Sequence, residues 1–199
     1  MSTLPKDIHP ESGTRLPPPK REDMDDYGKK VYDNVVGPGS DTNFGLRGPS
    51  GIALHSPKLA ECEKALYRYF RFESGLSGPI RELAILVTAR EMDSQFEWTA
   101  HEPRALKEGL SQEIIDVVKY RKGVTELSET EAVIIQFGRE MFRQKKVTSE
   151  TFARALKIFG PRQLVDLVAL MAKYTATAIK FYAFDMQVDP DMKQLLPLA

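Results

Sequence analysis

The chain has 199 residues, 42% of them hydrophobic, with 28 basic and 28 acidic side chains and a formal net charge of zero. That length fits one domain with a tail, and the even charge balance argues against a nucleic-acid binder, which carries a basic excess or stripe. A single cysteine, Cys62, excludes an intrachain disulfide framework, a cysteine-rich zinc site and a two-thiol redox centre, and it suits a reducing, cytoplasmic compartment.

Residues 1–21 are polar and proline-rich, and they read as an extended N-terminal arm lying on a partner subunit. They contain no apolar core of the kind a signal peptide needs. Residues 22–199 read as a single helical domain. Met24, Tyr27, Val31 and Val35 fall at helical spacing. VVGPGSDTNFGLRGPSG, with five glycines and two prolines in seventeen residues, is a loop, long enough to suggest a function. HSPKLAECEKALYRYFRFESG then gives a helix whose apolar stripe is Leu59, Cys62, Leu66, Tyr69 and Phe70, which makes Cys62 a small core residue.

In SGPIRELAILVTAREMDSQFEWTAHEP, Pro79 suits the first turn of a helix with Ile80, Leu83, Ala84 and Val87 on one face. Asp93 or Ser94 caps a second helix through His101, which Pro103 is expected to end or kink. A short helix closed by Gly109 follows. Ser111 caps the next, Ser128 and Glu131 form a capping box, and another helix stops at Gly160. The last stretch, LVDLVALMAKYTATAIKFYAF, carries Asp166, Lys173 and Lys180, so it reads as a buried central helix and not a membrane span. No strand pattern is evident, and the class is all-α. The two halves of the chain echo each other in helix lengths, a pseudo-repeat without a shared residue motif.

The stretch QFEWTAHEP holds the only tryptophan, Trp98, and places Glu97 four residues before His101. On a helix Ser94, Glu97 and His101 share one face. A carboxylate beside an imidazole orients the ring and favours its charged form, and a group titrating near about 6.5 both takes and gives protons. Spacing alone makes this an i, i+4 salt bridge. Ser94 and Trp98 are the neighbouring candidates for substrate contact. His55 follows the glycine-rich loop and is a candidate pocket residue or a helix cap, and Arg47 in that loop is a candidate bidentate anchor for a substrate carboxylate. The histidines are scattered, no metal-ligand spacing occurs, and neither a metal nor a cofactor is expected.

The run IRELAILVTAREMDSQFEWTAHEPRALKEGLSQEIIDVV resembles the carboxymuconolactone decarboxylase family, which includes the alkylhydroperoxidase AhpD-like proteins. The match is carried by "RELAIL", by the E-W-x-x-H segment and by "GLSQEII", over about residues 79 to 118. It implies an AhpD-like helical bundle assembled into homo-oligomers. The peroxidase branch carries C-x-x-C before its histidine; here Ser94 and Glu97 stand at those places, so no thiolate nucleophile exists there. The decarboxylase branch carries a glutamate four residues before the histidine, which Glu97 and His101 match, and Glu82 matches a glutamate of the preceding helix. The resemblance thus implies a cofactor-free acid–base enzyme acting on a small carboxylated or lactone-like molecule, with His101 moving the proton, Glu97 orienting it and Glu82 as relay or hydrogen-bond partner. The alternatives are a non-catalytic helical oligomer that binds a ligand or protein, and a redox protein resting on Cys62.

Overall fold

The computed structural model describes residues 4–38, 40, 44–189 and 191–198; parts of the arm (residues 1–3) and of the glycine-rich loop (39 and 41–43) lie outside them. The described residues form eight α-helices and no strand. They divide into two compact units, one of residues 1–69 with 179–191, the other of residues 70–178 with 192–199. No described helix is long and apolar enough to cross a membrane.

In the first unit, α1 (Asp26–Val36) starts where the Asp25 carboxylate accepts the Gly28 N–H. It buries Val31 and Val35 against Ala53, Leu54 and Ala60, contributed by and around the short α2 (Pro49–Ala53) and by α3 (Pro57–Arg68). Two expectations fail here. The N-terminal segment does not extend away as an arm. His9 and Thr14 bridge, Ser12 and Thr14 are buried, Arg15 N–H donates to the Phe184 carbonyl, and Gln187 N–H donates to that of Gly13. The Ser12 and Thr14 hydroxyls bond back onto local backbone, which satisfies the turn and lets it bury. Most of the supposed core stripe of α3 is also exposed, although Phe70 just beyond the helix is buried and Tyr69 half-buried. Cys62 is open, as are Leu59 and Leu66, and only Ala60 is buried. Helical periodicity fixed which residues share a face but not which face turns inward.

In the second unit the centre is α4 (Gly78–Glu91), buried without a break from Arg81 to Arg90. It packs against α5 (Gln95–Lys107), α6 (Gln112–Lys119) and α7 (Glu129–Arg139). Gly138 lets α7 approach α4 closely, since a Cβ there would overlap the Val87 side chain. The expected caps form: Ser111 Oγ accepts the Ile114 N–H, and Ser128 with Glu131 makes a reciprocal capping box. Pro103 does not stop α5, which runs on to Lys107. A proline removes one backbone donor, and the burial of Ala105 and Leu110 holds the helix beyond it.

The last element, α8 (Ser149–Phe184), breaks at Gly160, whose φ of 67° and ψ of 171° are not helical, and Pro161 starts the second stretch. This stretch is not central as expected. Leu164, Leu167, Leu170, Met171 and Tyr174 face inward, while Val165 is 66% exposed and Ala169, Ala172 and Ala176 are exposed on the same face. Alanines let the sequence look apolar all round without requiring burial.

Candidate functional site

The second unit concentrates its buried titratable groups where α4 and α5 face each other. The two helices are joined by Met92–Ser94, with Asp93 in the left-handed region at φ 49°, a conformation Asp tolerates because its short side chain bonds locally. Ser94 takes the N-cap position of α5, is buried, and makes no capping bond through its side chain. From there Glu97, His101, Arg104 and Glu108 follow at i, i+4, i+7 and i+11, one face of the helix.

Opposite that face stands Glu82 of α4. Its Oε2 lies 2.7 Å from His101 Nδ1, and both side chains are buried, Glu82 to 1% exposure and His101 to 9%. The ring edge of His101 meets Tyr174 of α8 at 5.1 Å between centroids and 89° between planes. Two arginines flank the carboxylate. Arg81 Nε is 3.7 Å and Arg71 Nη1 3.9 Å from Glu82 Oε1, and the same two guanidinium groups reach Glu108 Oε1 at 3.4 Å and 3.6 Å. Arg71 comes from a π-helical turn, Tyr69–Glu73, a local widening of the helix that re-aims side chains and recurs at functional sites.

The electrostatics fix the protonation pattern. Burial pushes the Glu82 carboxyl up, but the hydrogen bond from His101, with the Arg104 and Arg81 charges, pulls it down further, and the balance lies below its ordinary value. Burial pushes His101 down and outweighs the opposing pull of Glu82, while Arg104 and Lys173 push it down too. The pair therefore rests as carboxylate and neutral imidazole. Glu82 holds the proton on Nδ1, and Nε2 keeps its lone pair. Nδ1 makes the one hydrogen bond of this ring among the described residues.

The other expected residues fall as follows. Glu97 is buried on the His101 face, but the carboxylate bonded to His101 is Glu82, which the helix pairing brings in from α4 and which i, i+4 spacing does not reveal. Trp98 is fully buried, so it is a core residue and not a substrate platform. Its Nε1–H donates to Glu102 Oε2, Lys119 Nζ of α6 is 2.8 Å from Glu102 Oε1, and the same ammonium lies 5.7 Å from the indole centroid. Arg47 and His55 belong to the first unit and are engaged there. Arg47 donates to the Pro10 carbonyl and lies 3.6 Å from Asp189, and His55 Nε2 is 3.0 Å from the Pro17 carbonyl. Both tie down the N-terminal turn, which corrects the expectation that they serve a substrate. Among the described residues no group of three His, Cys, Asp or Glu side chains is placed to hold a metal ion. Sequence reasoning missed Arg71, Arg81 and Arg104; only Arg104 had a readable signal, its place on the His101 face.

A comparison with protein-family models finds no match, and no curated protein matches the chain.

Proposed function

We propose that this chain is a cofactor-free acid–base enzyme of the carboxymuconolactone decarboxylase kind, a decarboxylase-like lyase acting on a small carboxylated or lactone-like molecule. The observation that carries the reading is the buried hydrogen bond between Glu82 and His101 Nδ1. A carboxylate fixed on one ring nitrogen sets the tautomer and stabilises the imidazolium that forms when the other nitrogen takes a proton. In this scheme Nε2 removes a proton from a carbon acid, and Glu82, already ionised, balances the charge on the ring. The imidazolium, its Nε2 proton exchanged with solvent, then delivers a proton to carbon in the product. Where the substrate loses carbon dioxide, the electron pair of the broken C–C bond becomes an enolate, and imidazolium Nε2–H protonates its carbon. A substrate anion next to the ring raises the imidazolium population, because an opposite charge favours the charged form. Glu97 supplies a second carboxylate on the same helix face.

The test is incubation of the pure protein with small β-keto acids and unsaturated lactone carboxylates in deuterated water, reading deuterium at carbon and carbon dioxide release. Incorporation that disappears in His101→Ala supports the reading. Incorporation that survives in the variant sinks it.

Self-association belongs to the same proposal. It is supported by the exposed apolar face of α8 at Val165, Ala169, Ala172 and Ala176, since contiguous exposed apolar surface marks association sites. Light scattering on Ala172→Glu is expected to show a smaller particle than the parent protein. An unchanged mass places the contact elsewhere or removes it.

A further inference from the structure

Among the groups around His101, one cation is not accounted for by the acid–base pair. Arg104 lies one helical turn beyond His101 on the face of α5 that carries Glu97, His101 and Glu108. It is half-buried. Its neighbours Arg71 and Arg81 are held between Glu82 and Glu108, whereas the Arg104 guanidinium has no hydrogen bond or ion pair among the described residues. It is nonetheless near enough to act on both members of the pair, drawing Glu82 down and opposing a charge on His101. Side chains three apart on a helix stand about 5–6 Å from each other at Cβ. A guanidinium beside an imidazole at that spacing is a two-pronged donor with its partner missing.

We propose that Arg104 anchors the carboxylate of a small acidic substrate and holds its adjacent carbon against Nε2 of His101. This inference rests on the acid–base reading and names the substrate class for it. Geometry favours a monocarboxylate. The planar fork of arginine matches a carboxylate with two parallel hydrogen bonds, and the ionised Glu82 nearby disfavours a more highly charged anion such as phosphate. Anchoring also changes the imidazole. The bound carboxylate offsets the Arg104 charge that adds to burial in keeping His101 neutral, so the acid form of the ring becomes more available once substrate is present.

The test uses the full chain with nitrogen-15 in its three histidines, following the His101 ring by NMR. Acetoacetate, crotonate and 5-oxotetrahydrofuran-2-carboxylate are titrated beside their methyl esters and inorganic phosphate. The acids are expected to shift the His101 Nε2 resonance and to bind at least about tenfold more tightly than the esters or phosphate, as a charge-assisted pair requires. Arg104→Gln should weaken the acids by about tenfold to a hundredfold and leave the esters unchanged, Arg104→Lys should recover part of the loss, and His101→Asn, followed by calorimetry, should still bind the acids. Circular dichroism of the Arg104 variants should match the parent, since the side chain has no partner to lose.

Equal binding of acids and esters, undiminished binding by Arg104→Gln, phosphate binding in preference to the acids, or no His101 shift with any acid would each overturn the anchor. Acid binding through Arg104 in a protein that exchanges no carbon-bound hydrogen keeps the anchor and removes the acid–base reading. Exchange that needs His101 but not Arg104 does the reverse.

Discussion

Glu82→Gln is expected to slow proton exchange at carbon by about a hundredfold to ten-thousandfold while the protein stays folded. The amide keeps the size of the side chain and can still accept from Nδ1, but it no longer offsets a charge on the ring, and in its other orientation it donates to Nδ1 and reverses the tautomer. Either way Nε2 becomes a weaker base. The pH dependence carries a second signature. Folded His101 titrates below its unfolded value near 6.5, so the unfolded chain binds the proton first. Its contribution to stability is whole above about pH 6.5 and declines below it, by at most about 1.4 kcal/mol per pH unit, until the folded value is reached. Folded Glu82 titrates below its unfolded value near 4.5, so its contribution is present above about 4.5 and lost as pH falls through the folded value. Both slopes run the same way, and acid destabilises the protein in two stages. In Glu82→Gln the lower stage disappears, and His101 is left with burial and Arg104 but without the carboxylate that opposes them. Its titration, followed by NMR, should move to lower pH than in the parent. A rate within threefold of the parent and an unmoved His101 would show that the pair is structural only.

Lys119→Ala carries the largest expected loss of stability, about 3–5 kcal/mol, because it leaves the Glu102 carboxylate buried beside Trp98 without its ammonium. Urea unfolding measures this directly, with Trp98 fluorescence as the signal. The pair itself is weak evidence of stabilisation, since taking two charges out of water costs nearly what their attraction returns. The double change Lys119→Met with Glu102→Gln should therefore lose much less than Lys119→Ala alone. A single-variant loss under about 1 kcal/mol would place the pair in solvent-like surroundings, where exposed ion pairs contribute that little.

What the sequence made legible was local. The all-helical class, the capping box at Ser128, the cap at Ser111 and the stop at Gly160 all depend on residues within a turn or two of one another, and all are present. What it concealed depends on which face a helix turns inward and on what lies opposite. Leu59, Cys62 and Leu66 share a face of α3, and that face is outside. Pro103 promised an end or a kink to α5, and the helix runs on through it to Lys107. Glu97 and His101 are neighbours by spacing, yet the bond to His101 comes from Glu82, nineteen residues away in the chain. Lys119 likewise meets Glu102 from another helix. Carboxylate, imidazole and guanidinium groups could be nominated from their types, but their pairings exist only once α4, α5 and α6 have packed.

The N-terminal turn has a consequence for the order in which the protein is made. Residues 8–17 are closed by backbone bonds to residues 184 and 187, and the unit they belong to joins residues 1–69 to residues 179–191. On a ribosome, the start of this unit emerges first and must wait until its closing segment is synthesised. Residues 70–178 form one continuous stretch of the other unit, so most of that unit, with His101 and Glu82 in it, emerges while the first is still open. Ribosome-bound chains halted beyond residue 178 should therefore protect the amides of α4 and α5 from hydrogen exchange before that of Arg15, whose partner is the Phe184 carbonyl, is protected.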